Sequence, residues 1–246
     1  MKKRKFKTSI IAWLVLIICL AGMVYSGYHI FNWKKSVSDN AKIKDELSDD
    51  INVSDDNYEI DFDSLKKKNS DTIAYLKVNG TNIDYIVVKG KDNSYYLNHN
   101  FNKEYNIAGW VFANYVNEFD GTDKNITIFG HDTKDGSMFG SLNNVLKREW
   151  QENKDNLNIL LITEKGLYKY EVFSTYLVKT EDYYINNSFA NDKEYMDFID
   201  KIKSRSNYDY NVEANFNDSI LTLSSCFGDG SKRTVLHARM IDDKSD

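Results

Sequence analysis

Apolar residues run almost unbroken from Ser9 to Phe31, behind a Met1–Lys7 segment carrying five basic side chains. That length is close to the ~20 residues a helix needs to cross the hydrocarbon core, and the basic cluster should remain cytoplasmic, with the chain after Trp33 on the outer face. The run is longer than the apolar part of a cleavable leader and has no clean Ala-x-Ala site, which favours an uncleaved anchor. From residue 32 to 61 the pattern becomes polar and acidic. This stretch reads as a spacer, partly helical, in which apolar positions four apart from Ile43 to Ile51 form a weak amphipathic stripe able to dock. Asp61 is placed to cap a short helix over Phe62–Lys68.

Beyond residue 70 the period changes to two. Runs at Ile73–Val78 and Ile83–Val88 flank Asn79-Gly80, a hairpin signal. Further strand patterns cover 108–115, 126–130, 157–163, 167–178, 219–226 and 233–241. Eight such runs within about 170 residues predict a mainly β fold, a closed eight-stranded barrel. Two stretches have helical spacing: 138–150, with Met138, Leu142, Val145 and Glu149 on one stripe, and 192–204, with Met196, Ile199 and Ile202 behind an Asn191 cap. The expected organisation is a basic tail (1–8), a transmembrane anchor (9–31), the spacer (32–61) and one catalytic domain (62–246).

Composition narrows the function. The 246-residue chain has net charge −5 and no clustered basic stripe, which argues against a nucleic-acid partner. Its two cysteines, Cys19 and Cys226, cannot form a disulfide framework, since the first lies in the apolar segment. Proline is absent. There is no Cys-x-x-Cys or His-x-x-x-His spacing, so no metal and no cofactor are expected.

The chemistry gathers around Thr222-Leu223-Ser224-Ser225-Cys226, where a strand pattern ends at the loop Phe227–Lys232. A thiol reacts as its thiolate and needs a cation or base nearby, whereas a lone cysteine is otherwise a small buried hydrophobe. His131 ends the run Ile126–Gly130 and is one candidate base. His237, on the same strand face as Arg233, Val235 and Arg239, is its rival; His99 reads as a loop residue and His29 as part of the anchor. Arg233, seven residues past the cysteine, offers a permanently charged fork of donors suited to an oxyanion or carbonyl, and equally suits a solvated strand end.

These residues together resemble a sortase, a cysteine transpeptidase of Gram-positive cell envelopes. The resemblance rests on Thr222–Cys226 with Arg233 downstream, Ile128-Phe129-Gly130-His131 upstream, Asn93-Ser94-Tyr95-Tyr96-Leu97, Gly136-Ser137-Met138-Phe139 and the N-terminal anchor, and spans about 62–241. The helix inserted at 192–204 points to class B. Two positions depart from the family pattern: Ser225 stands where Thr is usual, and Phe129 where class B often has Tyr. The resemblance implies a sortase-type barrel with a few peripheral helices and with Cys226, His131 and Arg233 as catalytic residues. It implies that Asn93, Leu97, Thr180, Tyr184, Ile185 and Ser224 line the groove for a sorting motif similar to Asn-Pro-x-Thr-(Asn/Gly). The implied partners are secreted proteins bearing that motif, an amine of peptidoglycan or its lipid-linked precursor, and the membrane. A papain-like hydrolase fits less well, because there the cysteine opens a helix and precedes the histidine. A non-catalytic membrane-tethered barrel, in which Cys226 only packs, is the alternative of another class. The lack of proline argues against the Asp-Pro-aromatic lid of pilus-assembling members.

Overall fold

The structure, a computed structural model, describes residues 2–53, 58–179, 181–227 and 231–245; its side-chain description leaves out residues 2–9, 226, 227 and 242–245. Helix α1 runs unbroken over Lys2–Ser48. Its apolar portion is fully exposed in the isolated chain, and 22 residues from Ile10 to Phe31 span about 33 Å, enough to cross a bilayer. The helix does not end with the apolar run. It continues through the stretch read as a spacer, where Asn40, Ile43 and Leu47 turn one stripe onto the folded body and are buried. The two aliphatic side chains contribute roughly 1.5–3 kcal/mol each by leaving water. Asn40 adds direction: its Nδ2 donates to Gly109 O at 2.9 Å, and its Oδ1 accepts from Asn106 Nδ2 at 3.0 Å.

A small antiparallel pair follows, β1 (Ile51–Val53) with β2 (Tyr58–Ile60), in a region the polar composition did not mark as strand. Helix α2 (Phe62–Lys68) begins at Asp61, whose side chain accepts from Ser64 N at 2.8 Å, as its cap position predicts. The barrel strands are β3 (Thr72–Val78), β4 (Asp84–Val88), β5 (Phe112–Ala113), β6 (Asn125–His131), β7 (Asn158–Thr163), β8 (Gly166–Lys179), β9 (Ile220–Phe227) and β10 (Lys232–Ser245). They close in the order β10-β8-β7-β3-β4-β5-β6-β9, the expected eight-stranded barrel. Inward alternation fills it with Leu76, Ile128, Leu161, Leu223 and Leu236, all at 0% exposure, which is the core the period-two pattern encodes.

Two expectations are corrected. The run over 108–115 pairs as a strand only at Phe112–Ala113, because Gly109 adopts φ +58° and the preceding residues turn back, with Gly109 N donating to Asn106 O and Trp110 N to Tyr96 O. The helical stripe over 138–150 is not one α-helix. It forms a 3₁₀ segment, Gly140–Leu146, and then the short helix α3 (Arg148–Glu152). Met138, Leu142 and Val145 are still buried, but Glu149 is exposed and Trp150 takes the inward position, since 3₁₀ geometry advances fewer residues per turn. Helix α4 (Asp192–Ser204) matches its prediction, capped by Asn191 Oδ1, which accepts from Glu194 N at 3.0 Å.

The pairing of β6, β9 and β10 positions the chemistry. Strands β6 and β9 run parallel, so their C-terminal ends reach the same rim of the barrel, and antiparallel β10 starts at that rim.

Candidate active site

In that register His131 pairs with Cys226 and Cys226 with Arg233, so three adjacent strands bring the candidate acid–base, nucleophile and cation into one row. The main chain of Cys226 lies within β9; its side chain is outside the description. The second row of the same strand face holds Phe129, Ser224 and Val235, and the third Thr127, Thr222 and His237.

His131 is half-buried at the end of β6. Its Nε2 lies 2.6 Å from Leu97 O, and since a carbonyl only accepts, Nε2 carries a proton. Two glycines allow close packing beside it, Gly130 against Phe139 and Gly109 against His131 itself. A Cβ on Gly130 would fall 2.6 Å from the Phe139 ring, and one on Gly109 would fall 2.4 Å from Tyr96 O and 2.9 Å from His131 Cδ2. Because Asn40 of α1 holds the Gly109 carbonyl, the anchor helix is coupled through that turn to the ring of His131. Between them lies a cavity of about 520 Å³ bounded by His29, Ile30 and Trp33 of α1 and by His131 and Lys134.

Arg233 is half-buried, and its Nη1 is enclosed without a hydrogen-bond partner among the described residues. An enclosed guanidinium nitrogen lacking an acceptor is costly unless something else supplies one. Arg239, the other arginine on this strand face, is differently placed: its Nη2 donates to Glu171 Oε2 at 2.8 Å.

His237, the sequence's rival base, sits in a different setting. It is completely buried, with Nδ1 2.8 Å from Thr222 Oγ1 and Nε2 2.9 Å from Tyr176 OH. Burial drives its pKa down to about 3, so it is neutral at any pH where the protein functions. The sign of the resulting linkage is definite. The unfolded histidine takes up a proton near its ordinary value and the folded one does not until about pH 3, so stability falls as pH drops through that window. Denaturant titrations from pH 6.5 to 5 should show wild-type stability falling with a His237 contribution of at most about 1.4 kcal/mol per pH unit, absent from His237→Gln.

The implied groove residues divide into separate groups. Leu97, 37% exposed, is tied to His131 through its carbonyl. Tyr184 and Ser224 meet directly, Ser224 Oγ donating to Tyr184 OH at 3.2 Å, and both are buried. Ile185 is half-buried in the same 3₁₀ turn, Tyr183–Ile185. Asn93 bonds to the chain just past β5, its Nδ2 donating to Asn114 Oδ1 and its Oδ1 accepting from Tyr115 N. Thr180 lies outside the described residues. Sequence reasoning missed Asn125 and Tyr176, which prove to be tied to this region. The available signal was a polar residue, Asn125, opening an otherwise apolar strand.

Comparison with known proteins identifies the family. The model of the sortase domain family matches residues 76–241. Sortase B of Staphylococcus aureus is 31% identical over 245 residues, covering 98% of this chain and 99% of that protein; Sortase B of Listeria monocytogenes is 35% identical, covering 76% and 69%. Among solved structures, sortase B from Bacillus anthracis superposes with a TM-score of 0.75 at 29% identity, over 85% of this chain and 99% of the other. A mutant form of Clostridium perfringens sortase B gives 0.69 at 33% identity, over 73% and 86%. The chain therefore belongs to the sortase family, the cysteine transpeptidases of the cell envelope. Within it the chain is of class B, held to the membrane by a single N-terminal helix.

Proposed function

We propose that this sortase cleaves a C-terminal motif similar to Asn-Pro-x-Thr-(Asn/Gly) in secreted proteins after the threonine and joins the product to an amine of peptidoglycan or its precursor. The observation that carries the proposal is the register that aligns His131, Cys226 and Arg233 across three neighbouring strands. In the first half-reaction the Cys226 thiolate adds to the threonine carbonyl, and the C–N bond breaks as His131 protonates the departing amine. This leaves a thioester on Cys226. In the second half-reaction the acceptor amine adds to the thioester, His131 takes its proton, and the thiolate leaves as the new amide forms. Arg233 stabilises the oxyanion of both tetrahedral intermediates; its enclosed Nη1, without a hydrogen-bond partner among the described residues, suits that role. A solved Sortase B, 35% identical to this chain, is described in complex with triglycine. An amine-bearing acceptor of that kind fits here.

The topology supports the same reading. Five basic residues before the apolar run hold the N-terminus in the cytoplasm and place the barrel outside. The cavity between α1 and His131 then opens beside the membrane surface, where a lipid-linked amine would arrive.

The test is turnover of a panel of motif peptides with a short glycine peptide as acceptor, followed by product mass. We expect cleavage after Thr and a new amide. Arg233→Lys should lose about 10²–10³-fold in kcat/KM, since a point charge does not replace a planar fork, while Arg239→Lys stays near wild type. Full activity in Arg233→Lys with loss in Arg239→Lys would reverse the assignment.

A further inference from the structure

Below the row of His131, Cys226 and Arg233, a chain of buried hydrogen bonds begins and ends on one turn. It starts at Tyr183, whose hydroxyl donates to Tyr176 OH at 3.0 Å. Tyr176 on β8 lies 2.9 Å from His237 Nε2 on β10, and His237 Nδ1 lies 2.8 Å from Thr222 Oγ1 on β9. Thr222 Oγ1 donates to Asn125 Oδ1 on β6 at 2.6 Å. The amide of Asn125 then donates to Tyr184 O at 3.0 Å and to Asn186 O at 2.9 Å.

The directions of these bonds are forced. Both N–H groups of Asn125 are used on carbonyls, so its Oδ1 faces Thr222 and must accept. The Thr222 hydrogen is therefore committed, and His237 Nδ1 must be the donor between them. A neutral ring with its proton on Nδ1 accepts at Nε2, so Tyr176 donates to it and in turn accepts from Tyr183. Burial keeps the ring neutral. Every side chain along the path has its partners, and each of them except half-buried Tyr183 is buried.

We infer that Tyr176, His237, Thr222 and Asn125 are positioning residues that hold the 183–186 turn in register with the row of His131, Cys226 and Arg233. The inference rests on the proposed motif-binding role of Tyr184 and Ile185. Thr222 and His237 lie two rows below the catalytic row on the same strand face, and Ser224, in the row between, donates to Tyr184 OH. The turn is thus bonded directly to β6 at Tyr184 and Asn186 and to β9 at Tyr184, and its Tyr183 end reaches β10 through Tyr176 of β8. Such a network acts on substrate binding and leaves the bond-making groups alone.

The experiment uses the full-length chain in detergent micelles. Thr222→Val is close to isosteric and removes both the acceptor for His237 and the donor to Asn125. It should raise KM for the motif peptide about tenfold with kcat within about twofold, and Thr222→Ser should restore KM. Backbone amide exchange at Ile185 and Asn186 should rise at least about tenfold in Thr222→Val, with α4 unchanged. Tyr183→Phe, at the half-buried outer end, should raise KM about threefold and serves if Thr222→Val does not fold. Wild-type KM in a folded Thr222→Val, or in Tyr183→Phe when that variant stands in, overturns the inference. So does a fall in kcat with KM unchanged, or unchanged exchange of the turn. If wild-type protein turns over no motif peptide, the proposed function fails and the substrate role with it, whereas the exchange result still decides whether the network holds the turn.

Discussion

Cys226→Ala is expected to abolish peptide turnover, a loss on the order of 10⁴-fold or more, because no other described nucleophile stands in the register row with His131 and Arg233. The fold should survive. Strand β9 is held by main-chain pairing to β6 and β10 along its length, and that ladder does not use the side chain at 226. The check is turnover of the motif peptide beside a thermal melt of the same preparation. Loss of both activity and cooperative melting would make Cys226 a packing residue; loss of activity alone makes it the nucleophile.

His131→Ala is the second large effect, an expected loss of about 10²–10⁴-fold, the range general acid–base groups supply. Replacing the ring also frees Leu97 O, which His131 Nε2 otherwise engages. His131→Gln separates the two roles: an amide can keep a donor for the carbonyl but does not shuttle protons at neutral pH. Both variants should therefore be inactive, with His131→Gln the more native-like of the two in its melt. An inactive His237→Gln beside an active His131→Ala would contradict the assignment. The structure argues against that outcome, since His237 is enclosed and hydrogen-bonded on both nitrogens.

Much of this molecule was legible in its pattern of apolar positions. Alternation in 73–78, 126–130, 157–163 and 219–226 marks strands because one face of each must meet the barrel core, and the closed barrel follows. The cap at Asn191 and the stripe behind it define α4, as local signals should. What escaped depends on neighbours distant in sequence. The short β5 and the turn at Gly109 are set by Tyr96, Asn106 and Asn40, which come together only in the folded chain. The docking of α1 beyond Phe31 through Ile43 and Leu47 follows their spacing of four, but the part played by Asn40, which bonds Gly109 and Asn106, had no local signal.

The candidate site shows the same division. Cys226 and Arg233 end and begin adjacent strands across one loop, so their neighbourhood is nearly a local property. The choice between His131 and His237 is not. Both follow apolar runs, and only the parallel pairing of β6 with β9 and the covering of the lower rows by Tyr176 and the 183–186 turn distinguish them. A network threading β8, β10, β9 and β6 in turn has no sequence signature at all, because its spacing is set by three strand registers at once.

The central claim is acyl transfer through Cys226, and intact-protein mass spectrometry on the full-length chain with motif peptides tests it most directly. The account predicts an adduct equal to the peptide's N-terminal fragment through Thr, lost on adding a glycine peptide and absent from Cys226→Ala. A folded protein that cleaves motif peptide without any adduct on Cys226, or that carries the adduct equally in Cys226→Ala, would contradict it.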